Sequence, residues 1–433
     1  MSVTKKILII RPDEMGDVIL TFPMLLELKI KFPRSEIYYL CAEYTKPLIE
    51  MHPLVSGVII DKLNKGKSVK NMTSQLIEMK AYQFDIVIHC YNEFLYAYLA
   101  LRAKIPIRIG DASKLAPRLL HNYKVSQGFR NIMNHEVDLN LKLLEPLGIS
   151  KPDQGIFGFE NYRSNESTLI KYHLQNKRYV IIHPGLGKGN RKWPINNYKK
   201  IVTFLQDEGF MVVVTGGKAE VERNNSISSG MCDVINLTGR TDILEVADII
   251  RNATFFVSVD TGPMHLAAAL KIPVVLLSPS KYVKPNRWGP YGVSNTVVSP
   301  KGACKKRCFP YSCQDTDCMD ALTVDDVKMG IRRINLKSNF VAIDQIKKKW
   351  LKVSLNILDL ASNLLIDEEY HVYQKKDISG SLLKFIVEND INLIIKDKIT
   401  WIDRIMNSLV AIYLSHPPVF ITTDQYKKSG IVF

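Results

Sequence analysis

Residues 254–271, TFFVSVDTGPMHLAAALK, join an apolar run to an alanine-rich run through one tight turn, and this joint restricts the fold. Phe255, Phe256, Val257 and Val259 read as a buried strand, which places helices over the sheet that contains it. The strand stops at Asp260-Thr261-Gly262-Pro263, and a helix starts with His265 in its first turn. Pro263 fits a first helical turn, where its missing N–H costs nothing. The helix N-terminus offers unpaired N–H groups and the positive end of the dipole, which suits a phosphate or diphosphate above the sheet. Gly262 lets a ligand approach the backbone closely. Asp260, Thr261 and His265 line the same rim. The same residues also suit an ordinary strand–turn–helix joint with a satisfied histidine.

That unit recurs along the chain. KKILIIR (5–11) reads as a first strand, RPDEMGD as a loop and VILTFPMLLELKIKF as a helix. EIYYLCA, SGVIIDK, FDIVIHCY and IRIGD follow as strands, with helices through QLIEMKAY and NEFLYAYLALRAKI between them. A helix from His135 is expected to run to Gly148, and the polar stretch 150–165 reads as a linker. A second series begins at RYVIIHPG and continues through FMVVVTGG, DVINLTG, the 254–271 unit and IPVVLLSP. Strands alternating with helices predict parallel sheets, whose ligands bind outside the carboxyl ends of the strands. The expected fold class is therefore α/β, with two such domains (1–160 and 161–335) facing one another. The remainder, 336–433, carries an amphipathic helical run (KKKWLKVSLNILDLASNLL) and no evident chemistry, so it is expected to be a helical extension packed on the body or a small extra module.

The length of 433 residues allows this much core, and 46% hydrophobic with 23% charged residues is a globular composition. The sequence offers no apolar run long enough for a membrane span, and the short ILII run followed by Arg11 is not expected to act as a signal peptide. A cytoplasmic location is expected. The net charge of +15 suits an anionic partner. No aromatic–basic interleaving of the nucleic-acid type accompanies it, so nucleic acid is not an expected partner. A solvated basic face and attraction to an anionic membrane surface both remain open. Of seven cysteines, Cys41, Cys90 and Cys232 are expected in the core. Cys304, Cys308, Cys313 and Cys318 cluster with spacings that match paired zinc knuckles imperfectly; reduced thiols, a structural metal site and disulfides are the readings, and no catalytic metal is expected.

Three further loops follow strand ends. In Glu14-Met15-Gly16-Asp17, Asp17 could take a proton from a bound hydroxyl as a general base, or cap the next helix. His183-Pro184-Gly185 opens a glycine-rich loop that reaches Arg191, Lys192, Trp193 and Pro194; it could wrap a phosphate and supply positive charge, or be a plain surface loop. Thr215-Gly216-Gly217 precedes Glu220, which could accept hydrogen bonds from sugar or ribose hydroxyls, or simply favour the helix start. P-loop and GxGxxG patterns are absent.

Together, MGDVILTFP (15–23), the HPG loop with RKWP (191–194), GGKAE (216–220) and DTGPMHLAAA (260–269) resemble the heptosyltransferases of glycosyltransferase family 9. The resemblance covers about residues 5–330. It implies a glycosyltransferase-B fold of two facing Rossmann-like domains, the first for the acceptor and the second for a nucleotide-sugar. By position, it makes Asp17 the catalytic base. His183, Gly185, Gly217, Glu220, Asp260, Thr261, Gly262 and His265 would hold the donor, and Arg191 with Lys192 would neutralise the leaving diphosphate. The reaction implied is an inverting, metal-independent transfer that needs no cofactor. Its donor would be ADP-heptose and its acceptor a phosphorylated glycolipid or glycan of the lipopolysaccharide core, met at the inner face of the membrane. Nucleotide-sugar isomerisation on the same fold, heptosyl transfer to protein and a non-enzymatic binding relative are the alternatives.

Overall fold

The structure, a computed structural model, describes residues 4–63, 66–127, 134–150, 157, 159, 162–185, 192–278, 284–300 and 317–334. All of these belong to one compact unit, Met1–Asn335; Leu336–Phe433 lies outside the described residues, and with it the expected helical extension.

The first half runs β1 (Lys6–Ile10), α1 (Met15–Ile19), α2 (Pro23–Lys31), β2 (Glu36–Cys41), α3 (Lys46–Glu50), β3 (Gly57–Ile60) and α4 (Val69–Tyr82). It continues with β4 (Ile86–His89), α5 (Phe94–Arg102), β5 (Ile107–Asp111), α6 (Leu115–Leu120), β6 (Tyr123–Val125) and α7 (Glu136–Lys142). The second half begins with α8 (Glu166–Lys171), β7 (Tyr179–His183), α9 (Ile195–Asp207), β8 (Met211–Val214), α10 (Val221–Ser228) and β9 (Val234–Asn236). It ends with α11 (Ile243–Arg251), β10 (Phe256–Ser258), α12 (Gly262–Ala269), β11 (Val274–Leu277), α13 (Lys284–Trp288), β12 (Asn295–Val298) and α14 (Asp317–Asp320). A last helix covers 324–334.

Each half is a six-stranded parallel sheet. The orders are β3-β2-β1-β4-β5-β6 and β12-β11-β10-β7-β8-β9. Renumbered from its own first strand, the second repeats the first, and both have the doubly wound order whose direction reverses beside the first strand. The reversal falls between β1 and β4 in one sheet and between β7 and β10 in the other. The loops that leave β1, β7 and β10 are among those singled out above, and the Thr215-Gly216-Gly217 loop leaves β8, the neighbour of β7; the loop after β4 was not among them. Ile7 to Ile10 and Tyr179 to Ile182 are at most 1% exposed, as inner strands covered on both faces require.

One apolar cluster takes in Ile7, Ile9, Val18 and Ile19 of the first half together with Tyr179, Met264, Leu266 and Ala267 of the second. The halves therefore share a core. Phe157 and Phe159, from the stretch expected to be a polar linker, are buried in it, with Phe159 edge-on to Phe22 at 5.2 Å. The end of this stretch is fastened to the second half by Asp248 of α11, which accepts from Tyr162 Oη (2.6 Å) and the Asn165 amide (2.9 Å).

Two expected helices are broken, both at proline. Pro23 has no N–H and its ring would strike the carbonyl of Ile19, so α1 ends, Phe22 N bonds Ile19 O, and α2 starts at Pro23. Pro146 likewise ends α7 at Lys142, and a short turn over Glu145–Leu147 closes on left-handed Gly148. Cys41 and Cys90 are in the core as expected, but Cys232 is exposed, on the turn before β9, where Asp233 adopts positive φ.

Candidate active site where the two sheets meet

The carboxyl edges of the sheets converge at α1 and α12. A methyl group on Gly16 would lie 2.8 Å from His265 Cδ2, and one on Gly262 would lie 2.5 Å from Met15 Cε. Both positions are occupied by glycine because two helix N-termini abut here with no room for Cβ atoms. Met15-Gly16-Asp17 and Asp260–His265, far apart in sequence, thus come together where the two sheets meet. The positive ends of both dipoles point into it.

Asp17 sits in the first turn of α1, partly exposed, with Oδ1 held at 2.8 Å by Arg11 Nη2. It makes no side-chain cap; Glu14 occupies the cap position. Arg11 is buried at the end of β1 and is shared among three carboxylates: Nε meets Asp13 Oδ1 at 2.8 Å, Nη2 meets Asp17, and Nη1 lies 3.6 Å from Glu136 Oε1 while donating to the Cys90 carbonyl at 2.7 Å. Burial pushes the Asp13 carboxyl up to about 7, against the pull of Arg11 and with help from the neighbouring Asp17. Glu136 also accepts from Arg287 Nη2 (2.9 Å) and Nε (3.1 Å), so an ionic chain runs from β1 of one half to α13 of the other. Tyr44 Oη receives the Met15 amide at 3.1 Å and braces the 13–15 loop.

On the second rim, His265 is buried in α12, with Nε2 3.7 Å from Asp260 Oδ1 and Nδ1 without a hydrogen-bond partner among the described residues. Thr261 precedes the helix but does not cap it; its hydroxyl pairs with Ser258 Oγ at 3.0 Å. Gly185 has φ +56°, and a methyl group there would fall 2.6 Å from Thr261 Cγ2, so the β7 and β10 loops interlock where only glycine fits. His183 is buried, its Nδ1 3.0 Å from Thr215 Oγ1, and burial pushes it down to about 4, which keeps the ring neutral. Glu220 Oε2 accepts from the Gly217 amide at 2.7 Å. That carboxylate therefore caps its own helical turn, and one of its oxygens is already engaged. Lys192 is exposed, beside Trp193, which is buried and donates Nε1–H to the Leu322 carbonyl at 2.8 Å. Arg223 Nη2 donates to the Trp193 carbonyl at 3.0 Å and adds a cation near this loop. Arg191, Cys304, Cys308 and Cys313 lie outside the described residues. Cys318 is in α14 and packs on the second half's core.

Sequence reasoning brought Asp17, Gly185, Asp260, Thr261, Gly262 and His265 to one place. It missed Arg11, Asp13, Glu136 and Tyr44. An arginine that ends a buried strand, followed two residues on by an aspartate, was the available signal for the first two.

A sequence profile of glycosyltransferase family 9 (heptosyltransferase) matches residues 73–317. Lipopolysaccharide heptosyltransferase 3 of Escherichia coli K12 is 28% identical over 282 residues, covering 60% of this chain and 79% of that protein. Lipooligosaccharide heptosyltransferase 2 of Haemophilus ducreyi is 26% identical over 289 residues, covering 63% and 82%. Among solved structures, a family 9 glycosyl transferase from Veillonella parvula has a TM-score of 0.68 at 22% identity, over 78% of this chain and 99% of that one. The E. coli ADP-heptose heptosyltransferase II follows with a TM-score of 0.61 at 22% identity, over 77% and 99%. Both likenesses concern the fold, which is that of the glycosyltransferase-B class. The profile spans more than half of the chain, so the protein belongs to glycosyltransferase family 9, the heptosyltransferases.

Proposed function

We propose that this glycosyltransferase moves heptose from ADP-heptose to a phosphorylated lipopolysaccharide-core or related surface-glycan acceptor, with inversion and without a divalent ion. The observation that carries the reading is the abutment of the Gly16 and Gly262 turns. It brings α1, the helix that carries Asp17, against the N-terminus of α12, which supports a base working next to a diphosphate held on the second rim.

In this reading the donor lies along the second rim. Its diphosphate meets the α12 N-terminus, with Thr261 and His265 beside it and the Arg191–Lys192 pair at the loop end. Neutral His183 and the Gly185 turn shape the wall without adding charge. Glu220 stiffens the Gly217 turn through its cap, leaving one oxygen for a donor hydroxyl. The acceptor enters over the first sheet. Asp17 takes the proton from its hydroxyl as the oxygen attacks the anomeric carbon from the face opposite the leaving group. ADP departs toward the cationic rim, where fixed positive groups do the work that a metal ion does elsewhere. Arg11 holds the base in line, and Asp13 and Glu136 hold Arg11.

The test is turnover by the purified protein given ADP-heptose and a heptose-deficient lipopolysaccharide acceptor, with EDTA present. The expected result is acceptor-dependent ADP release and a product of inverted anomeric configuration. Conversion of the donor without acceptor, retention of configuration, or activity that EDTA abolishes and magnesium restores would each contradict it.

A further inference from the structure

Large apolar side chains with substantial exposure are not spread evenly. Phe94, Leu101, Leu115, Leu119 and Tyr123 all fall within one short segment, α5 to β6, and Leu115 and Leu119 are 71% and 72% exposed. Leu115 and Leu119 stand four residues apart on α6, hence on one face. Phe94, Tyr98 and Arg102 form a similar ridge on α5, with the Phe94 and Tyr98 rings stacked and Arg102 over Tyr98 at 6.0 Å. Lys114 Nζ reaches Glu93 Oε1 at 2.9 Å and so ties the start of α6 to the start of α5.

The surroundings are strongly basic. Arg102, Lys104, Lys114, Arg118 and Lys124 are all exposed, whereas the acids of the segment are Glu93, paired to Lys114, and buried Asp111. Exposed leucines set among lysines and arginines match the two halves of an anionic bilayer surface: acyl chains for the leucines and headgroup phosphates for the cations. Placement agrees with this occupant. α5 and α6 begin at the carboxyl ends of β4 and β5, the edge from which Asp17 also opens.

We infer that the face formed by α5 and α6 docks on an anionic lipid bilayer and turns the Asp17 edge of the first sheet toward a lipid-borne acceptor. The second clause rests on the proposed glycolipid acceptor; the first does not.

The test is sedimentation of the full chain with vesicles of phosphatidylethanolamine alone or with phosphatidylglycerol. Transfer to a delipidated soluble acceptor is measured in parallel. Binding should be at least about tenfold tighter to the anionic vesicles and weaken with salt. Leu115→Glu with Leu119→Glu should reduce it about tenfold or more, with unfolding and soluble-acceptor turnover unchanged; Lys114→Gln with Arg118→Gln should reduce it without touching an apolar group. Equal binding to both vesicles, or binding unaffected by these variants, would overturn the docking surface. So would a concentration-dependent dimer that the leucine variant abolishes, which would assign the face to a second copy of the chain. Vesicle binding without any transfer would leave docking standing and count against the proposed function alone.

Discussion

At the scale of single residues, Gly16 carries the closest constraint in the site. The missing side chain is what lets α1 meet α12, since a Cβ would enter the van der Waals envelope of the buried His265 ring. Gly262 is more forgiving, because the atom in its way is the free end of the Met15 side chain. Gly16→Ala should therefore lower stability to denaturant by about 1–3 kcal/mol, as overpacking does, and Gly262→Ala by less. Wild-type stability for Gly16→Ala would show that the two helices are not in contact there. Arg11 illustrates the opposite economy, one cation serving three carboxylates, and it is the residue whose importance was hardest to read in advance. Its neighbours in sequence announce a loop; only the fold brings Glu136 to it from 125 positions away by count of residue numbers.

At the scale of elements, legibility followed the strength of the local pattern. Inner strands such as Tyr179–His183 and Phe256–Ser258 are continuous apolar runs and were evident. The edge strands β6 and β12 were not, because three or four residues with lysine, asparagine and threonine among them leave no apolar run to see. Edges have only one neighbour to satisfy and tolerate polar side chains. The broken helices show a different failure. Apolar periodicity continues straight through Pro23 and Pro146, while hydrogen bonding cannot. In the site, strand-end loops placed Asp17 and His265 on the correct edges of their own sheets. Their meeting depends on how one sheet packs on the other, which no local pattern records. Phe157 and Phe159 belong to that packing, and their polar surroundings in sequence hid it.

At the scale of the whole molecule, the shared core makes stability depend on groups in both halves. Burial pushes His121, His135 and His183 each down to about 4, and His89 is pushed down as well. An unfolded chain takes up protons on these rings below about 6.5 that the folded chain refuses. Their contribution is present above that pH and is lost as pH falls toward 4. Asp13 has the opposite sign: raised to about 7, it contributes stability below the ordinary aspartate range and loses it as pH rises through 7. The histidines outnumber it, so denaturant stability should fall by on the order of 3 kcal/mol between pH 7 and pH 5. Equal or greater stability at pH 5 would mean that the rings are not held neutral.

The central claim also concerns both halves: a carboxylate from the first acts on a sugar held by the second. Comparing Asp17→Asn with wild type in donor binding and in turnover tests it most directly. The account predicts ADP-heptose affinity within about twofold of wild type and transfer slowed by about 100-fold or more, the usual contribution of a general base. Transfer at the wild-type rate, or loss of donor binding in step with turnover, would contradict it.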